Sequence, residues 1–79
     1  MNVEVRLFAT LADHAGVRAG SVLSVELPDG SALDTLLEAV GIPKNRVHLV
    51  IVDGHVTHDR SVPLRDGSRI GLFPPVGGG

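Results

Sequence analysis

Apolar and polar residues alternate along several short segments of the chain. Val3, Val5 and Leu7 alternate with polar neighbours, which is the period-two pattern of a strand with one buried face. Comparable patterns predict strands over residues 2–9, 23–27 and 68–73. An apolar run rich in branched residues over 47–52 predicts a central strand. The looser segment after it allows a short strand around Val56.

One segment between these strands has helical spacing instead. Ser31 stands where an N-cap is expected, and Asp34 follows three residues later as a variant of the capping box. Gly41 and Pro43 then end the helix. Residues 10–16 are expected to form a short turn or helical stub. The apolar residues of the predicted helix recur three and four positions apart: Leu33, Leu36, Leu37 and Val40.

A hairpin, one amphipathic helix and further strands predict an α+β fold, a mixed sheet of four to five strands packed on one main helix. This element order is that of the β-grasp, or ubiquitin-like, arrangement. In it the first and last strands lie side by side. We expect a β-grasp domain over residues 1–73 and an extended, flexible glycine tail over 74–79.

Length and composition restrict the class of protein. The 79 residues suffice for one small domain, and 43% hydrophobic with 20% charged residues is typical of a globular chain. No apolar run reaches the length of a membrane span and no secretory signal is visible, so we expect a cytoplasmic protein. We also expect it to be monomeric when isolated. The formal net charge of -2, with its basic residues scattered, argues against nucleic acid as a partner. The absence of cysteine excludes disulfides and a thiol nucleophile.

The C-terminal tail is the candidate functional segment. Pro74 and Pro75 stiffen its base and lack backbone donors, and Val76 precedes the terminal glycines Gly77, Gly78 and Gly79. Six extended residues reach roughly 20 Å, which is enough for a narrow channel in another protein to admit the tail. The terminal carboxylate is then the candidate reactive group. A frayed terminus without a function is the alternative interpretation.

Strand alternation places the only two aromatic residues together. If Leu7 and Leu72 face the helix, then Phe8 and Phe73 face away from it, near the start of the tail. We expect these rings to form a patch that docks a partner, with Leu64 or Val76 at its edge. A bend in either strand would instead turn one ring into the core.

Several segments together resemble the small subunit of molybdopterin synthase, a ubiquitin-like family related to the thiamine sulfur carrier. The segments are Leu7-Phe8-Ala9-Thr10-Leu11, Leu64-Arg65-Asp66-Gly67, and Leu72-Phe73-Pro74-Pro75-Val76 with the terminal Gly78-Gly79. The resemblance covers the whole chain, and its specific part is the last segment joined to the terminal glycines.

The resemblance implies a sulfur carrier. In such families an adenylyltransferase of the ubiquitin-activating type uses ATP and Mg to adenylate the terminal glycine, here Gly79, and a sulfurtransferase or desulfurase converts it to a thiocarboxylate. The acceptor enzyme would be one such as the large subunit of molybdopterin synthase. The chain itself then needs no catalytic residue, metal or cofactor.

Alternatives remain open for the pathway and the function. Pro74-Pro75 favours a molybdenum or tungsten pterin, the first choice of recipient, whereas the short segment 41–47 and the triple glycine are closer to thiamine carriers. Thiamine thiazole or another sulfur-requiring pathway is the alternative. A protein modifier joined through Gly79 to a lysine shares the tail features, and a plain binding module is a third hypothesis. His55 and His58 are only a weak metal candidate because they flank a predicted turn.

Overall fold

A computed structural model describes residues 1–75 of the chain. This part of the chain contains five strands, two helices and a short 3₁₀ helix. The elements in chain order are β1 (Asn2–Leu7), α1 (Thr10–Ala15), β2 (Val22–Glu26), α2 (Leu33–Val40), the 3₁₀ helix (Lys44–Arg46), β3 (Leu49–Val52), β4 (His55–Thr57) and β5 (Arg69–Phe73).

The strands form one mixed sheet in the order β2-β1-β5-β3-β4. β1 pairs antiparallel with β2 and parallel with β5, so the first and last strands are neighbours, as predicted. β3 pairs antiparallel with both β5 and β4. β5 is therefore the middle strand of the sheet, and the last described residues follow directly from it. The predicted α+β, β-grasp architecture is confirmed.

One face of the sheet is buried under the helices. Val3, Val5 and Leu7 are at most 1% exposed, which is what their alternation predicted. The helices contribute the apolar positions that repeat at helical spacing, and Val40 of the predicted set is only half-buried. The core residues outside β1 are Leu11, Ala12, Leu27, Leu33, Leu36, Leu37, Ile42, Val47, Val50, Leu64, Ile70 and Leu72. We call the opposite side of the sheet the outer face.

The start of α2 differs from the prediction. Its N-cap is Ala32, which makes no side-chain capping bond, so the predicted roles of Ser31 and Asp34 were wrong. The hydroxyl of Ser31 instead donates to the carbonyl of Pro28 at 2.6 Å. The Ser31 carbonyl accepts from the backbone N–H of Leu64 at 2.8 Å. Ser31 therefore joins two loops and is not available to cap the helix.

Two strands are shorter than predicted. β1 ends at Leu7 because the chain turns sharply at Ala9, where φ is 52°. β3 begins at Leu49, because Val47 follows the 3₁₀ helix and packs into the core. No helix within residues 1–75 is long and apolar enough to cross a membrane.

The predicted turn after β3 forms as expected. Asp53 and Gly54 both have positive φ, at 49° and 84°, which is the requirement of a type I′ turn in a two-residue hairpin. The carboxylate of Asp53 also accepts the backbone N–H of Arg69 at 2.8 Å. This turn is thereby attached to the first residue of the middle strand.

Candidate functional site

The two aromatic rings lie together on the outer face. Leu7 and Leu72 pair across β1 and β5 with both side chains in the core, so Phe8 and Phe73 point to the other side of the sheet. Their ring centroids are 4.4 Å apart and their planes differ by 1°. Each ring is partly buried, because each covers part of the other. The position matches the prediction, and docking of a partner there stays a prediction.

Gly71 lies beneath this aromatic pair. A Cβ atom at this position would lie 3.4 Å from a ring atom of Phe73 and 3.7 Å from one of Phe8. The missing side chain therefore provides the room into which the two rings lean. Sequence analysis did not single out Gly71; the available signal was a lone glycine inside a strongly apolar strand, which often marks a close approach.

The turn after Phe8 holds its ring in place. Ala9 has φ 52° and ψ -130°, and the N–H of Leu11 donates to the Phe8 carbonyl at 3.1 Å. This is the geometry of a type II′ turn with alanine where glycine is preferred. On the other side, Gly20 donates its N–H to the Leu7 carbonyl at 2.8 Å and approaches the Phe8 ring. The ring is thus fixed from two directions.

A shallow groove runs over Gly71 beside the aromatic pair, with a volume of ≈ 210 Å³. Its charged residues are Arg6, Arg69 and Glu4. Arg69 Nε lies 3.7 Å from Glu4 Oε2, and the Arg69 side chain is 82% exposed. Arg6 donates to the Gly20 carbonyl at 3.3 Å. The remaining lining residues are Phe8, Ile51, Gly54, Ile70, Gly71 and Phe73.

The tail starts at the edge of this surface. The carbonyl of Phe73 accepts the backbone N–H of His48 at 2.8 Å, and Pro74 and Pro75 follow without N–H groups to continue the strand. Pro74 is half-buried and Pro75 is exposed. The other predicted tail residues, Val76, Gly77, Gly78 and Gly79, lie outside the described residues.

Leu64 does not belong to the aromatic patch. It is 4% exposed and forms part of the hydrophobic core, so it has no apolar surface to present to a partner. The expectation that it borders the patch was wrong. Within residues 1–75, the large hydrophobic residues that are exposed are Val22 and Val56, at 46% and 56%.

The histidines make separate contacts. His55 Nδ1 lies 3.2 Å from the Asp53 carbonyl, and His14 Nε2 lies 3.0 Å from the Gly41 carbonyl. Among residues 1–75, no three histidine, aspartate or glutamate side chains are grouped so as to hold a metal ion.

Two polar side chains that do not lie on the outer face, Asp59 and Arg60, have notable hydrogen-bond surroundings. The hydroxyl and the backbone N–H of Ser61 both donate to Asp59 Oδ1, at 2.6 and 2.9 Å, and these bonds lower the pKa of the Asp59 carboxyl. Arg60 Nη2 donates to the Val47 carbonyl at 2.8 Å, while its buried Nη1 has no partner among the described residues. Both side chains belong to the loop between β4 and β5 and do not line the groove.

Comparison with known proteins gives several solved structures of the same fold. The chain is similar to a putative molybdopterin converting factor, subunit 1, from Pyrococcus furiosus, with 26% identity, a TM-score of 0.75 and coverage of 96% of this chain and 99% of that one. It is also similar to SAMP1 from Haloferax volcanii, with 27% identity, a TM-score of 0.74 and full coverage of both chains.

A third similar structure is a protein-protein complex. It contains subunits 1 and 2 of the molybdopterin-converting factor from Helicobacter pylori 26695. The matched chain of that complex has 27% identity to this chain and a TM-score of 0.62, and the match covers 100% of each of the two. A comparison with curated protein sequences gave no match.

The model of the ThiS family matches residues 5–79, which is nearly the whole chain and includes the terminal glycines. The expected membership of a ubiquitin-like sulfur carrier family is confirmed: the chain belongs to the ThiS family.

Proposed function

We propose that this chain carries sulfur on its C-terminus. The Gly79 carboxylate is adenylated by an activating enzyme and converted to a thiocarboxylate. The sulfur is then donated in cofactor biosynthesis, with a molybdenum or tungsten pterin as the first choice of recipient. In this proposal the chain is the small subunit of a molybdopterin synthase and has no catalytic residues of its own.

The observation that carries the proposal is the ThiS family match, which runs through Gly79. The structure supports the proposal at the residues where the tail begins. β5 is the middle strand of the sheet, and it passes directly into Pro74 and Pro75. A reactive group on this tail is therefore attached to a strand that is paired on both edges, which suits a domain that several enzymes bind in turn.

The chemistry needs little from the domain. A terminal carboxylate is ionised at neutral pH and is a poor electrophile. Attack of its oxygen on the α-phosphate of ATP releases pyrophosphate and leaves an acyl adenylate. Sulfide then displaces AMP, and the carbon–sulfur bond that forms replaces the carbon–oxygen bond to phosphate. Where the donor is an enzyme persulfide, the first product is an acyl disulfide, and a thiol reduces its sulfur–sulfur bond to release the thiocarboxylate. The activating enzyme supplies the Mg, and the partner enzymes supply the acid and base groups.

The outer face supplies the docking surface. Phe8 and Phe73 are stacked beside the start of the tail, so a partner that covers them also receives the tail. Docking makes delivery of the terminal sulfur effectively intramolecular. From Phe73, the six residues of the tail extend roughly 20 Å at most. The acceptor site of the partner must therefore lie within that distance of its contact with Phe73.

The neighbours' names support one choice of recipient. Two of the similar structures are named as subunit 1 of a molybdopterin converting factor, and one of them is bound to subunit 2. This favours a large subunit as the acceptor. The ThiS family match keeps thiazole formation as the alternative recipient.

A protein modifier is the second candidate function. The Haloferax volcanii protein is described in another of its structures as small archaeal modifier protein 1, and its 27% identity to this chain equals that of the converting-factor subunit from Helicobacter pylori. In this role the acyl adenylate of Gly79 would be attacked by a lysine amine of a target. AMP leaves and an isopeptide bond forms.

The deciding experiment measures the intact mass of the protein after incubation with an activating enzyme, ATP and a sulfur donor. We expect a gain equal to the replacement of one oxygen by sulfur. A Gly79-deleted chain and a chain extended by one residue after Gly79 should stay folded and gain nothing. Higher-mass conjugates that survive denaturant and thiol would instead establish the modifier. A gain in the Gly79-deleted chain, which ends in Gly77-Gly78, would refute Gly79 as the required sulfur-bearing residue.

A further inference from the structure

The groove over Gly71 has a shape that the proposed docking role does not by itself require. It lies in the middle of the sheet, where the neighbouring strands place Arg6 and Ile51 opposite Gly71. We propose that this groove receives one apolar side chain of a partner protein, and that carboxylates beside that side chain bind Arg6 and Arg69. This inference rests on the proposed function, because the partner meant is the one that receives the tail.

The size of the groove selects its occupant. Its volume of ≈ 210 Å³ lies below the range of about 300–1,000 Å³ that is usual for pockets of small molecules. A side chain anchored by its own protein needs less room. The apolar wall is formed by the Phe8 and Phe73 rings and by Ile51, and its floor is the bare backbone of Gly71. Such a lining suits an aliphatic side chain.

The positively charged residues at the rim of the groove, Arg6 and Arg69, indicate which groups of the partner lie around that side chain. Arg69 is 82% exposed, and its contact with Glu4 is long, at 3.7 Å. Arg6 makes a hydrogen bond of 3.3 Å to a single carbonyl. A guanidinium has five N–H donors in a planar fork that matches a carboxylate, so both arginines retain capacity for acidic groups.

The distribution of charge supports an acidic partner at this site. The whole chain has a formal net charge of -2, but the groove is lined by two arginines and one glutamate. An acidic protein is therefore repelled by the chain as a whole and attracted at the groove. This arrangement orients the partner over the aromatic pair before contact is made.

The test measures binding to one purified protein, the converting-factor subunit 2 of the organism that encodes this chain. In Gly71→Val the added side chain occupies the groove, and we expect the affinity for subunit 2 to fall about 30-fold, as for loss of a central anchor. Gly71→Ala adds only a Cβ at 3.4 Å from Phe73 and should weaken binding about 3- to 10-fold.

Ser24→Val is the matched control, since it adds a branched side chain to the same face of the sheet outside the groove lining. Its affinity should stay within about 2-fold of the native value. Thermal unfolding of every variant separates lost binding from lost structure. If Gly71→Val does not fold, Gly71→Ala decides the question, because alanine is favoured over glycine within a strand.

The rim is tested separately. Arg6→Ala and Arg69→Ala should each weaken binding about 2- to 5-fold, and by more at low salt than at high salt. Arg65→Ala removes an exposed arginine outside the groove and should leave affinity unchanged. If Arg65→Ala weakens binding as much as Arg6→Ala or Arg69→Ala does, the arginines act only through nonspecific charge attraction. That result would overturn the role assigned to the two groove arginines.

Three results overturn the inference. The first is that Gly71→Val binds subunit 2 as tightly as the native chain does. The second is that subunit 2 shows no binding to the native chain at about 100 μM, because an affinity weaker than that is too low for a specific docking site. The third is self-association in sedimentation that Gly71→Val abolishes, which would make a second copy the occupant. Failure of the proposed function is distinguished by the Gly79-deleted chain, which should dock normally whether or not the native chain gains sulfur.

Discussion

Replacement of the two stacked rings, singly and together, tests how the docking surface is built. The perturbations are Phe8→Ala, Phe73→Ala and the double variant. Stacked aromatic pairs contribute about 0.5–1.5 kcal/mol beyond the area that they bury. At a centroid distance of 4.4 Å and an interplanar angle of 1°, the rings of this chain should couple within that range. The double variant should therefore be more stable than the sum of the single losses predicts, by about 0.5–1.5 kcal/mol.

The single losses can be estimated from burial. A fully buried phenylalanine costs about 3–5 kcal/mol when it is truncated to alanine. Phe8 and Phe73 are only partly buried and rest on Gly71 with one edge open to the groove. We therefore expect about 1–3 kcal/mol for each single variant. Val56→Ala, at a residue that is 56% exposed, is the control and should change stability by less than about 0.5 kcal/mol.

The assay is urea unfolding followed by far-ultraviolet circular dichroism, because the chain has no tryptophan or tyrosine for fluorescence. A coupling energy indistinguishable from zero would refute the stacked arrangement. A single loss above about 4 kcal/mol would place that ring in the core and remove it from the docking surface. Stability losses in the expected range, together with weakened binding of subunit 2 or the activating enzyme, would support the surface.

Three further predictions follow from individual residues. Ala9→Gly should stabilise the protein by about 0.5–2 kcal/mol in urea unfolding, because relief of a positive φ outweighs the entropy cost of glycine. Ala39→Gly within α2 should instead lose about 0.5–1 kcal/mol, and a loss of similar size at Ala9 would disprove the strained turn. Leu64→Ala should lower the free energy of unfolding by about 2–5 kcal/mol, as expected for a core leucine; a loss under about 1 kcal/mol would contradict its burial. The pKa of Asp59 is lower in the native state than in the unfolded state. Its ionised carboxylate therefore stabilises the fold at pH values above the ordinary carboxyl pKa, and this stabilisation is lost as the pH falls through the lowered pKa. Ser61→Ala should raise that pKa in an NMR titration, and an unchanged value would disprove the hydrogen-bond cause.

The fold was predictable because short-range patterns and long-range packing agree. Alternation of Val3, Val5 and Leu7 corresponds residue by residue to the buried face of β1, since successive side chains of a strand point to opposite sides. The same rule applied to β5 placed Phe73 on the outer face beside Phe8. Position on the sheet could therefore be deduced once the two strands were assumed to be neighbours.

The remaining features depend on contacts that are distant in sequence. Leu64 stands alone in a polar loop without periodicity, and its side chain packs into the core where its N–H donates to the Ser31 carbonyl. The same contact keeps Ser31 in a loop junction instead of the expected cap. Ala9 is not a turn-forming residue type, so nothing local indicated its positive φ. The role of Gly71 could not be predicted from its own segment, because it depends on the strand register that places both rings over it.

The parallel pairing of β1 with β5 has a mechanical consequence. Met1 and Pro75 lie at opposite ends of two adjacent parallel strands, so a force that pulls on the tail while the N-terminus is held loads their hydrogen bonds in shear. These include the bonds from Glu4 N to Ser68 O at 2.9 Å and from Phe8 N to Leu72 O at 3.2 Å, which must yield together instead of one after another. When the N-terminus is held, a pull on Pro75 is therefore resisted by all of these bonds at once, and the sheet keeps its shape.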